Sequence, residues 1–304
     1  MSVVVEVEGL CKTYGSTRAV DGVSFAVQQG EIFGMVGPNG AGKTTTIECV
    51  EGLRKPDTGS ISVLGRDPRV EREAVAERIG IQLQSSNLPA RLRVGEALEL
   101  MGAFYARRAE AGPLLERLGL AEKRRSAVAK LSGGQKQRLF IALALVNQPE
   151  MVFFDELTTG LDPQARRSMW DLVREIRNQG CTVFLTTHYM EEAEHLCDRV
   201  AIIDHGRIVA LDTPEALIRS LGVEKRVVFT RPNGTAYGEL ESVPGVDKVE
   251  VNGDRVIVSG RGERLISTVV AALEQGQVPF KDLRTEQPTL EDVFLTLTGR
   301  EMRE

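Results

Sequence analysis

The segment Gly37-Pro38-Asn39-Gly40-Ala41-Gly42-Lys43-Thr44 leaves this 304-residue chain the fewest choices of fold. Glycines at 37, 40 and 42 let a tight loop turn its backbone N–H groups inward, as the template G-x-x-x-x-G-K-S/T requires for holding phosphate oxygens. The flanks agree with that template. Residues 31–36 read as a short buried strand, and residues 44–50 read as a helix opening directly beneath the loop. The helix N-terminus adds positive potential at a bound anion, and Lys43 would neutralise the β- and γ-phosphates of a nucleotide.

A second run, Leu131-Ser132-Gly133-Gly134-Gln135, precedes a long apolar helical stretch at 135–146. It reads either as a second anion-facing helix start or as a plain helix cap. Downstream, Met151-Val-Phe-Phe154 is a continuous apolar run that suits a strand buried on both faces of a parallel sheet, and it ends in Asp155-Glu156. Buried carboxylates at a strand end need a partner charge. A nucleotide-bound Mg²⁺ supplies one, with Asp155 holding the metal through water and Thr44 ligating it directly, while Glu156 faces the attacking water.

With these motifs in this order, the first 220 or so residues resemble the ATP-binding subunit of an ABC transporter. The resemblance implies a P-loop NTPase (RecA-like) α/β domain carrying antiparallel β and helical subdomains. It implies nucleotide contacts along the whole phosphate loop, Thr45 included, and at Ser132, Gly133, Gly134 and Gln135. Tyr14 falls where the family stacks an aromatic ring on adenine. Gln82 and Gln84 both alternate onto one strand face, so periodicity cannot separate them; the family's usual spacing favours Gln84 as the residue sensing metal and water. Asp162, in Gly160-Leu-Asp-Pro163, matches the loop through which two such subunits touch, although proline after aspartate also suits an ordinary turn. His188, after the apolar strand 181–187, matches the switch histidine at the γ-phosphate. His195 and His205 have no such support. Leu157 stands where related subunits commonly have proline, a change in loop stiffness rather than in chemistry.

What the resemblance implies mechanistically is a split site. Two copies pack head to tail, so that ATP lies between Lys43, Thr44, Gln84, Glu156 and His188 of one and Ser132 to Gln135 of the other. Because Glu156 is present as glutamate, hydrolysis is expected and not merely binding.

The length favours about two domains, read as 1–221 for the nucleotide domain, its helical subdomain at about 87–148, and 222–304 for a small α+β accessory domain. Residues 3–9, 19–29 and 60–64 read as antiparallel strands, and 93–105 as helix. In the tail, 224–230, 246–251, 255–259 and 278–285 read as strands with a hairpin turn at Gly253, 265–274 as an amphipathic helix, and 288–299 as a helix with proline near its start and glycine at its end. The tail resembles that of drug-resistance-type exporter ATPases.

A net charge of −5 argues against a nucleic-acid surface, and Arg107-Arg108 and Lys123-Arg-Arg125 read as solvated helix faces. The four cysteines lack C-x-x-C spacing and read as reduced packing residues of a cytosolic protein. No run reaches the roughly 18 apolar residues of a membrane span, and the N-terminus lacks the basic start and apolar core of a signal peptide. Any membrane partner is therefore expected to be another chain, and the resemblance implies that it is a separate permease. In the resemblance residues 85–93 fall where the family couples to that permease; by themselves they equally suit an ordinary surface loop. A soluble mechanical ATPase acting on nucleic acid or ribosomes, and a nucleotide-binding regulator without turnover, are the alternative functions.

Overall fold

The computed structural model describes residues 2–82, 88–222, 225–231, 240–262 and 264–299. Gln84 and the first residues of the 85–93 segment lie outside them. Contacts divide the chain into two compact units, cut between Pro214 and Glu215.

The first unit runs β1 (Val3–Tyr14), β2 (Thr17–Gln28), β3 (Ile32–Val36), α1 (Lys43–Val50), β4 (Thr58–Val63), α2 (Arg72–Ala76), β5 (Ile79–Gln82), α3 (Val94–Gly102), α4 (Ala111–Arg117), α5 (Gly133–Ala144), β6 (Met151–Asp155), α6 (Pro163–Asn178), β7 (Thr182–Thr187), α7 (Met190–Leu196), β8 (Arg199–Asp204) and β9 (Arg207–Asp212). Two sheets form among the described residues. One is antiparallel, in the order β2-β1-β4; the other runs β5-β6-β7-β3-β8-β9 and is parallel except for β9.

Every residue of β3, β6 and β7 is buried, which is why those segments carry no polar alternation. Side chains of β2 and β3 meet between the sheets, where Phe25 stacks on Phe33 at 5.4 Å and Phe184 tilts against Phe33 at 5.3 Å. Valines and Leu10 from the antiparallel sheet join Ile47 and Val50 of α1 in the same core. The glycine loop therefore stands on a rigid base.

The second unit follows α8 (Pro214–Ser220) with β10 (Lys225–Thr230), β11 (Val246–Asn252), β12 (Arg255–Gly260), α9 (Leu265–Gln275), β13 (Lys281–Glu286) and α10 (Leu290–Thr298). Its antiparallel sheet has the order β11-β12-β10-β13, and α9 buries Leu265, Val269 and Leu273 against Val227, Phe229 and Val258. Asn252 pairs with Arg255, so Gly253 sits in the hairpin turn at φ 62°, and Gly299 ends α10 in the left-handed region at φ 70°.

Four local expectations need correction. β1 continues to Tyr14 rather than ending at Gly9, α3 stops at Gly102 rather than Tyr105, α5 covers 133–144 rather than 135–146, and the last strand begins at Lys281 rather than Val278. The cysteines are also less uniform than packing residues. Cys49, Cys181 and Cys197 are buried, but Cys11 is half-buried and its sulfur accepts hydrogen bonds from Arg18 Nη2 (3.3 Å) and the Gly22 amide (3.2 Å). Among the described residues no helix is long and apolar enough to cross a membrane.

Candidate functional site

The glycine loop links the C-terminal end of β3 to α1, and its backbone admits little else. Gly42 has φ 106°, and a Cβ there would lie 2.3 Å from the Ala19 carbonyl oxygen; one on Gly37 would lie 2.1 Å from that of Ile203. The loop folds around its own lysine. Lys43 Nζ donates to the Gly37 carbonyl at 2.8 Å and to the Pro38 carbonyl at 3.1 Å, and the side chain is buried. Burial pushes the Lys43 ammonium below its usual range, and Glu156 and Asp155 push it back up.

Strands β6 and β7 end beside the loop and deliver the acids. Asp155, also buried, accepts hydrogen bonds at Oδ1 from Thr44 (3.4 Å) and from the Thr186 hydroxyl. Burial raises its carboxyl above the ordinary range, and those two hydroxyls oppose the rise. Glu156 then leaves the strand in the left-handed region at φ 51°, a conformation that costs a non-glycine residue about 1 kcal/mol or more. Its amide donates to the Thr186 carbonyl (3.1 Å) and hydroxyl (3.2 Å), which holds the turn. The result is that Glu156 Oε1 lies 3.6 Å from Lys43 Nζ and 3.5 Å from His188 Nδ1, while Thr159 donates to its other oxygen at 3.4 Å. The Gly37 amide donates to the Thr187 carbonyl at 3.3 Å, tying the loop to the strand that carries His188.

So Lys43, Thr44, Asp155, Glu156 and His188, chosen from separate stretches of sequence, meet at the C-terminal edge of one parallel sheet, where such folds bind ligands. Thr186, which bonds both Asp155 and Glu156, was not singled out from sequence. A threonine inside an apolar strand reads as an ordinary β-former.

Other expected residues stand apart from this cluster. Ser132 caps α5: its hydroxyl accepts from the Gln135 amide (3.3 Å) and Gln135 Oε1 accepts from the Ser132 amide (3.1 Å). A Cβ on Gly133 or Gly134 would meet nothing within 4 Å, so the cap presents an open face. Among the described residues no hydrogen bond or ion pair joins it to the Lys43 cluster. Asp162 caps α6, accepting from the Gln164 (3.0 Å) and Ala165 (2.9 Å) amides. Tyr14, at the end of β1, is 40% exposed, with Lys12 Nζ and Arg54 Cζ 5.7 and 5.3 Å from its ring centroid. Gln82 is buried at the end of β5, in register with Phe154.

Several buried acids lie outside the set, Glu51 among them. Glu51, at the C-terminal end of α1, is 5% exposed and neither carboxylate oxygen has a hydrogen-bond partner. Burial, aided by Asp155 and Glu48, pushes it up to about 9. The unfolded chain ionises Glu51 near 4.5 while the folded chain keeps the proton to about 9. Stability therefore falls as pH rises through that window, by up to ~1.4 kcal/mol per pH unit. Glu51→Gln is expected to raise Tm more at pH 8.5 than at pH 6; parallel melting curves for the two proteins would show that Glu51 ionises freely in the fold.

A family model described as ABC transporter matches residues 20–159. Across 98% of its length this chain is 41% identical to the daunorubicin resistance ATP-binding protein DrrA3 of Streptomyces coeruleorubidus, of which it covers 97%. It is 42% identical to the Nod factor export ATP-binding protein I of Paraburkholderia xenovorans, over 99% of this chain and 98% of that protein. Among solved structures, an ATP-binding cassette captured as a post-hydrolysis dimer with ADP and phosphate superposes with a TM-score of 0.61, at 27% identity, over 69% of this chain and 98% of the other.

Proposed function

The chain belongs to the ABC transporter family as an ATP-binding, ATP-hydrolysing subunit, and we propose that it drives an exporter by closing and opening a head-to-tail homodimer around ATP. The observation that carries this reading is the convergence of Lys43, Glu156 and His188 at the glycine loop. The open cap at Ser132 to Gln135 suits the reciprocal half-site on a second copy.

In this mechanism the loop amides and Lys43 take the phosphates and Tyr14 stacks on adenine. The donor set fits a hard divalent cation: a half-buried hydroxyl and a buried carboxylate, Thr44 and Asp155, face each other at 3.4 Å. Bound there with ATP, Mg²⁺ would neutralise developing phosphate charge. Glu156 orients the attacking water and accepts its proton, Gln84 senses the metal and that water, and His188 donates toward the transferred group. Hydrolysis removes the phosphate that bridges the two copies, and the interface opens. Asp162 reports from one site to the other across that interface. The division of labour follows: residues 1–221 are the motor, and residues 222–304 form an accessory domain.

Export is supported by the relatives named for drug resistance and for Nod factor export. A permease would hold the chain at the cytoplasmic face of the membrane. Its cytoplasmic helix has a candidate seat, an apolar groove of about 360 Å³ in the first unit, lined by Leu53, Leu88, Leu92, Leu100 and Phe104 among others. Phe104 is 73% exposed there, so Phe104→Asp should alter stability by no more than about 0.5 kcal/mol. The variant is expected to bind ATP normally yet sediment far less with membranes of the native host. Undiminished membrane recovery would move the coupling surface elsewhere.

A further inference from the structure

An imidazole turns about a terminal torsion with broad preferences, so backbone position alone does not aim His188 at Glu156 Oε1, 3.5 Å from its Nδ1. The next side chain in sequence restrains it. The rings of His188 and Tyr189 lie 4.1 Å apart, centroid to centroid, and are tilted by 42°. Tyr189 is itself held twice. Its amide donates to the Thr187 hydroxyl at 3.0 Å, which ties the backbone on either side of His188, and the Arg166 guanidinium lies over its ring, 4.0 Å from the centroid. Arg166 belongs to the first turn of α6, where its amide donates to the Asp162 carbonyl at 2.9 Å.

At two positions the chain forgoes ordinary polar satisfaction for this stack. Tyr189 stands at the N-cap of α7, where serine, threonine, aspartate or asparagine would satisfy an orphan amide, and its side chain caps nothing. Arg166 keeps a buried Nε without a hydrogen-bond partner while its guanidinium covers the tyrosine ring. The geometry points to Tyr189 as a positioning residue for His188: steadied by Arg166, its ring sets the direction of the imidazole toward Glu156 and ties that direction to the helix beginning at Asp162. This rests on the reading of His188 as the γ-phosphate switch. Tyr189 acts on the reaction only through the imidazole.

The test uses the full chain. Tyr189→Ser removes the ring but supplies the missing cap, so α7 still has a start. It is expected to lower kcat for ATP hydrolysis about 10- to 100-fold, the scale of a misplaced reacting group, while KM for ATP stays within about 3-fold. Tyr189→Phe keeps the stack and should recover most of the rate. Arg166→Met removes the cation and leaves both rings; it should lower kcat about 2- to 5-fold. It should also shift the His188 imidazole resonances, which substitution assigns among the chain's 3 histidines. The double variant Tyr189→Ser/His188→Ala should be no slower than His188→Ala alone, because the ring then has nothing to aim. Additive losses in that pair, or a wild-type kcat per ATP-binding site in Tyr189→Ser, would reduce the stack to packing and overturn the inference. His188→Ala with wild-type turnover would instead remove the switch reading beneath it, whereas a slow His188→Ala beside a fast Tyr189→Ser would defeat the Tyr189 assignment alone.

Discussion

Glu156→Gln is expected to bind ATP at least as well as the wild-type chain and to hydrolyse it ~10²- to 10⁴-fold more slowly, the range that a positioned general base supplies. The substitution preserves volume and leaves the backbone turn at Glu156 in place, since that turn is held by the amide bonded to Thr186 and not by the side chain. What disappears is the negative charge 3.6 Å from Lys43 and 3.5 Å from His188. Losing it removes the acceptor for the water's proton and, at the same time, frees Lys43 from a competing anion, so turnover and affinity move in opposite directions. Phosphate release and nucleotide titration on the same preparation check this. Turnover at the wild-type rate would refute the role given to Glu156.

Lys43→Ala should do the reverse, weakening ATP binding by roughly 10²-fold or more, because charge-assisted hydrogen bonds contribute about 1.5–3 kcal/mol each and the ammonium would serve two phosphates. The effect has a second source. Lys43 also bridges the Gly37 and Pro38 carbonyls, so alanine loosens the loop that presents the amides. Lys43→Arg keeps the charge but must fit a planar guanidinium where a buried ammonium sits, and it too should bind weakly. Titration with a fluorescent ATP analogue, alongside Tm to confirm folding, measures both. An unchanged Kd in Lys43→Ala would count against the whole site.

The core of the site was legible because its demands are local. A loop that needs φ 106° at Gly42 and backbone contact at Gly37 must spell glycine there, and a strand buried on both faces must read as an apolar run until it delivers its acids. Less legible were features decided at a distance. β1 was read as too short because its register shifts between Val7 and Leu10 and again near Tyr14's end of the strand, and each bulge breaks the alternation that marks a strand. The last strand was begun too early across Pro279, which lacks an amide for the ladder. α3 was extended too far because its apolar spacing continues to Phe104, although that side chain points to solvent. Thr186 could not be singled out at all, since its importance lies in a partner 30 residues away in sequence, Glu156. Tyr14, Ser132 and Asp162 take their proposed roles from the family's arrangement; within one copy Ser132 and Asp162 serve as helix caps.

The split site itself is tested most directly by light scattering on Glu156→Gln with and without ATP·Mg²⁺, with Ser132→Arg added as the control for the opposing half. The account expects an ATP-dependent dimer that the arginine abolishes while each copy still binds nucleotide. A chain that stays monomeric at saturating ATP, or a dimer indifferent to Ser132→Arg, would contradict it.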